Sequence, residues 1–245
     1  MSTEESTAAG ALAAALRADP NRPLLTYYDE SLGERTELSA VTLDNWVAKT
    51  ANMLVDGAGL GPDDTAGVLL PAHWQTAAVL LGCFAAGVPV RTVPEADAAP
   101  VDVAFGTPGR LAELRDLRPA ETYLLGLRPM AAPLAEVPPG AADFVVEVRQ
   151  YGDRFVPAPV DPDAPALLGP APVSQAELMA RARRHAGESG LLPGGRLLVP
   201  VDGEPDPMAW LLAPLAIGAS VVLCRNADEA RIDAIAAAER TTSRT

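Results

Sequence analysis

Apolar and polar positions fall into two rhythms along the chain, one of helical period and one of short buried runs. Ala8 to Ala18 is rich in alanine and leucine and predicts a short amphipathic helix, ended by Asp19-Pro20-Asn21-Arg22-Pro23 because proline cannot continue it. Pro23 to Asp29, with Leu24, Leu25, Thr26, Tyr27 and Tyr28, reads as the first strand of a hairpin. The turn Glu30-Ser31-Leu32-Gly33 leads to a second strand ending near Leu38, and Ser39 offers a helix cap. From Ala40 to Val55, Leu43, Trp46, Val47 and Leu54 share one helical face, and Gly57 to Gly61 breaks the helix. Thr65 to Leu70 is a short apolar run suited to a strand buried on both faces of a parallel sheet. His73 to Ala86 then predicts a helix that stops at Gly87 and returns through Val88 to Val93 as a strand.

Weaker signals follow: a strand over Val101 to Phe105, a helix over Pro108 to Asp116 and a strand over Thr122 to Leu127. Arg128 to Pro165 is rich in proline, including Pro157 and Pro159, and reads as a loop-rich bridge in which Ala142 to Tyr151 has helical character. Ala164 to Glu177 joins a short apolar run to the start of a helix. There Ser174-Gln175-Ala176-Glu177 is a capping box, in which serine and glutamate side chains each satisfy a free backbone N–H, so a helix should run to about Ala186. Leu197 to Val201 reads as a strand, Met208 to Ile217 as a helix, Ala219 to Cys224 as a strand, and Asp228 to Glu239 as a helix with Ile232 and Ile235 turned inward.

The pattern repeats. Gly59-Leu60-Gly61-Pro62 and Gly190-Leu191-Leu192-Pro193 each follow a helix and precede a buried strand, and one offset of 131 residues carries Gly59 to Gly190 and Gly87 to Gly218. A period this long signals a duplicated subdomain and not a solenoid. The expected fold is therefore α/β: three-layer, mostly parallel sheets with helices on both faces, two pseudo-repeated βαβ units and an N-terminal β-hairpin. All 245 residues are expected in one domain, with a first unit over about 1–127, the bridge over about 128–165 and a second unit over about 166–245.

Charge and composition narrow the chemistry. With a net charge of −13, nucleic acid and an anionic membrane surface are poor partners, since both need clustered positive charge. Cys83 and Cys224 lie inside apolar runs, where a reduced thiol behaves as a small hydrophobe, so neither a disulfide scaffold nor a metal site is expected. Met1 to Ala9 lacks the basic region of a secretory signal, and no apolar run approaches the roughly 18 residues of a membrane span. The expectation is a cytoplasmic protein. Lys49 is the single lysine of the chain.

Several stretches carry a resemblance. Leu38-Ser39 with Leu43, Ala85-Ala86-Gly87-Val88-Pro89-Val90, and Leu211-Leu212-Ala213-Pro214-Leu215-Ala216-Ile217-Gly218-Ala219-Ser220-Val221-Val222-Leu223 are similar, in order, to segments of the large domain of the adenylate-forming superfamily. Acyl-CoA synthetases and peptide-synthetase adenylation domains belong to that superfamily, and the chain resembles more closely an actinobacterial family of uncharacterised relatives. None of these segments is catalytic. The resemblance implies that a Ser/Thr/Gly-rich phosphate loop with a lysine should follow Leu167-Leu168, but Gly169-Pro170-Ala171-Pro172 stands there, with no lysine and two residues lacking an N–H. Where acyl-CoA synthetases often carry a phenylalanine–histidine pair, the chain has Asp202-Gly203-Glu204-Pro205-Asp206-Pro207, whose charge opposes a triphosphate. The family's ribose-binding aspartate and catalytic lysine would fall beyond Thr245, and Lys49 lies in the wrong region. No cofactor, and no catalytic residue, is expected.

His73 and Trp74 are the candidate ligand-binding residues, because they open a helix just after the carboxyl end of a buried strand. The competing reading is that His73 caps the helix and Trp74 packs. His185 beside Arg181, Arg183 and Arg184 suits the C-terminal end of a helix electrostatically. Tyr151-Gly152-Asp153 imitates a nucleotide-contacting tripeptide of the resembled family but precedes the missing loop, and Ser174 is better explained as a cap than as a nucleophile. Three functions stay open at this point: a non-catalytic binding or regulatory module, an enzyme or split acyl-CoA synthetase subunit acting on a carboxylic or acyl substrate with a partner chain, and a structural subunit of a homodimer or hetero-oligomer. A small acyl or nucleotide ligand is compatible with the first two.

Overall fold

The computed structural model describes residues 6–93, 98–156, 160–203 and 206–244. Met1 to Glu5, Pro157, Pro159, Glu204, Pro205 and Thr245, all used in the sequence reading, lie outside the described residues. The chain forms two compact units, one of residues 1–44, 72–77 and 179–245 and the other of residues 45–71 and 78–178.

The first unit holds α1 (Ala8–Ala18), β1 (Pro23–Asp29) and β2 (Glu34–Ser39). It also holds β10 (Arg196–Pro200), a π-helical stretch (Met208–Leu212) continued by α7 (Ala213–Ala216), β11 (Ser220–Arg225), α8 (Glu229–Glu239) and β12 (Ser243–Arg244). Its strands form a five-stranded sheet in the order β12-β10-β11-β1-β2, parallel except for the β1–β2 hairpin. Tyr28, Leu198, Val222 and Cys224 on this sheet pack with Ile232 and Ile235 of α8, which is the face the sequence turned inward.

The second unit holds β3 (Ala66–Leu69), β4 (Val90–Arg91), β5 (Val103–Gly106), α4 (Leu111–Asp116), β6 (Glu121–Leu124), β7 (Ala142–Asp143) and α5 (Phe144–Val148). Its sheet is completed by β8 (Pro165–Leu167) and β9 (Val173–Ser174), in the order β7-β6-β5-β3-β4-β8-β9, parallel except for β8–β9. Three further helices connect the strands: α2 (Ala40–Asn52), extended by a π-helical turn at Met53–Gly57, α3 (Trp74–Ala86) and α6 (Gln175–Glu188). α3 is buried on every side, with Ala77, Ala78, Val79, Cys83 and Phe84 all at or below 1 % exposure, as an all-apolar helix must be. The α/β class with mostly parallel sheets is as the pattern predicts.

The repeat holds at the level of strand register. Ala66 pairs with Val90 and Gly67 with Arg91, and the same offset gives Leu197 with Val221 and Leu198 with Val222. Gly59, Gly87, Gly190 and Gly218 all have positive φ, between 66° and 74°, which explains why glycine recurs at these helix ends. The offset also carries the cap bonds. Val88 donates to the Cys83 carbonyl and Ala219 to the Pro214 carbonyl, each at 2.9 Å.

Four local readings need correction. The return strand expected over Val88 to Val93 is only Val90–Arg91. The Val88 N–H is spent on the helix end and Pro89 has none, so the ladder starts late. The two helices expected over Ala40 to Val55 and Met208 to Ile217 contain π-helical stretches. In the second, Pro214 offers no N–H to the Trp210 carbonyl four residues back, and the ladder widens instead. The segment after Leu167 does not run straight into a helix but turns back as β9, and β12 went unforeseen because two residues carry no pattern.

Candidate functional site

β1, β10 and β11 run parallel, so Asp29, Pro200 and Arg225 lie at one carboxyl edge, where open α/β sheets usually take ligands. Asp29 is buried and accepts from the Ser31 N–H at 2.9 Å, the Ser31 hydroxyl at 2.6 Å and Asn226 Nδ2 at 2.9 Å. Burial opposes its ionisation, but these hydrogen bonds outweigh burial and hold the carboxyl below its ordinary value. Asn226 sits at φ 54°, a left-handed conformation that asparagine tolerates, and its N–H is taken by both oxygens of Asp202, at 3.1 and 3.0 Å.

His73 and Trp74 come to this same unit. His73 is 0 % exposed and its ring meets that of Tyr27 edge-on at 4.4 Å. Its carbonyl accepts from Ala77 N–H at 3.1 Å, and its Nδ1 accepts from Gln75 N–H, also at 3.1 Å, which makes His73 the N-cap of α3. An accepting Nδ1 leaves the proton on Nε2. Burial, then the charge of Arg225, lowers the His73 pKa to about 3 against an opposing pull from Asp29, so the ring is neutral near pH 7. Trp74 is 3 % exposed, with its ring 5.6 Å from that of His73. Glu34 is buried and accepts from the Thr36 hydroxyl at 2.7 Å. Burial first, and Asp29 after it, raises the Glu34 pKa against hydrogen bonds from Thr36 and Trp74. Among the described residues, His73 Nε2, Glu34 Oε2 and the side-chain amide of Gln75 have no protein partner, and buried polar atoms of this kind are served by ordered water. The arrangement shows the capping bond directly, and encloses both candidate rings.

The position of the implied phosphate loop lies in the other unit. β8 joins the sheet beside β4 through Val90 and Leu167, and Leu168 donates to the Val90 carbonyl at 2.8 Å. Pro165 then pairs antiparallel with Ser174 and Leu167 with Val173, closing a tight turn over residues 168–172. The Leu168 N–H is used and Pro170 and Pro172 have none, which leaves the N–H groups of Gly169 and Ala171, never two in succession. A phosphate-binding nest needs successive N–H groups. The turn ends in the predicted cap, with the Ser174 hydroxyl accepting the Glu177 N–H at 3.2 Å.

Other charged residues have structural duties. Lys49 Nζ donates to the Tyr151 carbonyl at 2.7 Å, and Asn52 Nδ2 donates to the carbonyls of Gly152 and Arg154, each at 2.8 Å. The Tyr151-Gly152-Asp153 tripeptide is thereby fixed against α2. A Cβ on Gly57 would stand 2.2 Å from the Tyr151 hydroxyl, so any other residue there would have to displace the Tyr151 ring. In the acidic segment, Asp206 Oδ1 accepts the Met208 N–H at 2.8 Å and so caps the helix that follows. Among the described residues no group of three or more His, Cys, Asp or Glu is arranged to hold a metal ion, and no helix is long and apolar enough to cross a membrane. Cys83 and Cys224 are buried free thiols, and burial pushes both pKa values up to about 12.

The paired βαβ units and the β8–β9 hairpin define a protein with the adenylate-forming fold. The chain is similar to an acyl-CoA synthetase of Brucella canis, with a TM-score of 0.75 and 20 % identity over 97 % of this chain and 46 % of that one. It is also similar to the anthranilate CoA ligase AuaEII, solved in complex with anthranoyl-AMP, with a TM-score of 0.69 and 14 % identity over 89 % of this chain and 44 % of that one. It thus spans less than half the length of these solved enzymes, and at such identities the likeness shows the fold alone. No protein-family model matches the chain. A TIGR03089 family protein of Mycobacterium tuberculosis is 39 % identical over 249 aligned residues, covering 99 % of both chains, and the chain belongs to that family.

Proposed function

We propose that this chain is a non-catalytic member of the adenylate-forming fold that acts as a binding or regulatory module. The observation that carries the reading is the turn at residues 168–172, whose two prolines leave no pair of successive N–H groups for a phosphate. Lys49, the single lysine, is committed to the Tyr151 carbonyl, so no lysine of this chain stands ready to neutralise a triphosphate. His73 and Trp74 in this reading hold the carboxyl edge of the five-stranded sheet together.

The test is pyrophosphate exchange by the purified chain with magnesium, ATP and a panel of carboxylic acids, alongside thermal shift with ATP and AMP. A ligand that binds the native state alone raises its stability. The expected result is no exchange and no nucleotide-dependent rise in melting temperature. Exchange above the background of a heat-inactivated sample overturns the reading and supports the ligase alternative.

A further inference from the structure

We propose that a cleft at the amino edge of the five-stranded sheet, about 480 Å³ in volume, binds a small anion with an apolar body, with Arg22 holding the charged head. The first unit alone builds it. Ala14, Ala15 and Ala18 of α1 form one wall, Leu24 at the start of β1 and Leu215 of α7 form the other, and Arg22 stands beside them. Pockets for small ligands run on the order of 300–1,000 Å³, with mostly apolar walls and a few placed polar groups. The alanines recur at helical spacing, so they present one low face along α1, and any longer side chain there would occupy the cleft.

Arg22 supplies the polar element. Its Nη2 donates to the Gly194 carbonyl at 2.6 Å and its Nη1 to the Gly218 carbonyl at 3.2 Å. Gly194 and Gly218 lie just ahead of β10 and β11, as Arg22 lies just ahead of β1, so the guanidinium is tied to all three strand starts. These bonds use two of the five N–H donors of an arginine. No carboxylate pairs with Arg22 among the described residues, although the chain as a whole carries a net charge of −13. Arg183 adds a second guanidinium to the lining, and Asp19 is the one acid there, its Oδ1 taking the Asn21 N–H at 3.0 Å. A tethered, unneutralised cation facing aliphatic walls matches an anionic head on an apolar tail, and the head's source can be a carboxylate or a phosphate monoester.

The test is calorimetric titration of the full chain, without nucleotide, with octanoate, octyl phosphate and 1-octanol. The anions are expected to bind about tenfold or more tighter than the alcohol, the size of one charge-assisted hydrogen bond. Whichever anion binds more tightly identifies the head group. Arg22→Gln should remove the preference for anions, and Ala15→Leu or Ala18→Leu should fill the cleft and abolish binding without lowering the melting temperature, since leucine is a good helix former. Should Arg22→Gln fail to fold because its carbonyl tethers are lost, the octanol comparison and the alanine variants decide. Equal affinity for octanol and octanoate, undiminished binding in Ala15→Leu, or no binding of any probe at millimolar concentration overturns the proposal. None of these outcomes depends on whether the chain handles ATP.

Discussion

Glu239, at the end of α8, gathers three other side chains and offers a quantitative test of how the first unit is held. It accepts from the Tyr28 hydroxyl at 2.6 Å, from Arg35 Nη2 and Nε at 2.9 and 3.1 Å, and from Arg196 Nη2 at 2.5 Å. Its side chain is 9 % exposed, against 14 % for Arg196 and 46 % for Arg35. Glu239→Gln keeps the shape and removes the charge. The Arg35 arm is close to an exposed pair, worth about 0–1 kcal/mol. The Arg196 arm is close to a buried pair, where stranding one partner costs about 3–5 kcal/mol. Because glutamine still accepts a hydrogen bond and Arg196 also reaches Thr26 Oγ1 and Ser220 Oγ, the expected loss falls below that range, at about 2 kcal/mol.

The pH dependence follows from the same contacts. Burial works against the Glu239 charge, but hydrogen bonds from Tyr28, Arg196 and Arg35 outweigh it and bring the pKa below the ordinary 4.5. The unfolded state therefore binds the proton more readily than the native state. The stabilisation is fully present above the unfolded value and is lost as pH falls through the folded one. Urea unfolding should show wild type and variant differing by about 2 kcal/mol at pH 7, with equal m-values, and drawing together as pH falls below 4.5. A difference under about 0.5 kcal/mol at pH 7, or one of constant size down to pH 3, refutes the assignment of the stabilisation to this carboxylate.

Two further outcomes follow from the caps. Ser174→Ala and Ser39→Ala each remove a hydroxyl that accepts an N–H three residues on, at 3.2 and 3.3 Å, and each should cost about 1 kcal/mol in thermal or urea unfolding; a cost near zero for either would mean its hydroxyl is not capping. His73, with its pKa lowered to about 3 from 6.5, should keep the neutral Nε2–H pattern in ring-nitrogen NMR from pH 8 to 5. Its unfolded form takes the proton first, so stability should fall progressively from about pH 6.5 toward pH 3, and protonation of the native ring above pH 5 would show it to be open to solvent.

Most of the elements were legible because burial and period coincide in them. α1 and β1 begin and end where the pattern puts them, since Pro20 and Pro23 punctuate both and residues 24 to 29 are all buried. The capping bond at His73 and the cap at Ser174 were legible for a related reason, since each is a local bond between near neighbours in sequence. What escaped notice depends on distant partners. β9 and β12 are strands only because β8 and β10 pair with them, and neither two-residue segment has a period of its own. The cleft beside α1 was equally hidden: the alanines read as helix formers, and nothing in sequence brings Leu215 or Gly218 to Arg22.

The duplicated halves explain how the scaffold holds with Gly169-Pro170-Ala171-Pro172 at the turn between β8 and β9. Within the five-stranded sheet the order β10-β11-β1-β2 places the first copy's hairpin against the second copy's βαβ unit. Within the seven-stranded sheet the order β3-β4-β8-β9 places the second copy's hairpin against the first copy's βαβ unit. Each hairpin thus covers the edge that the other half's last strand would expose, and an uncovered parallel edge is costly. Strand β8 is held by pairing with β4 and β9 by pairing with β8, and the turn between them is tied to the sheet at its first residue, through the Leu168 N–H on the Val90 carbonyl. Residues 170 to 172 are exposed, and prolines there disturb no ladder bond. The composition of this turn therefore leaves the fold its full set of pairings, while loss of the hairpin itself would open the seven-stranded sheet at β4.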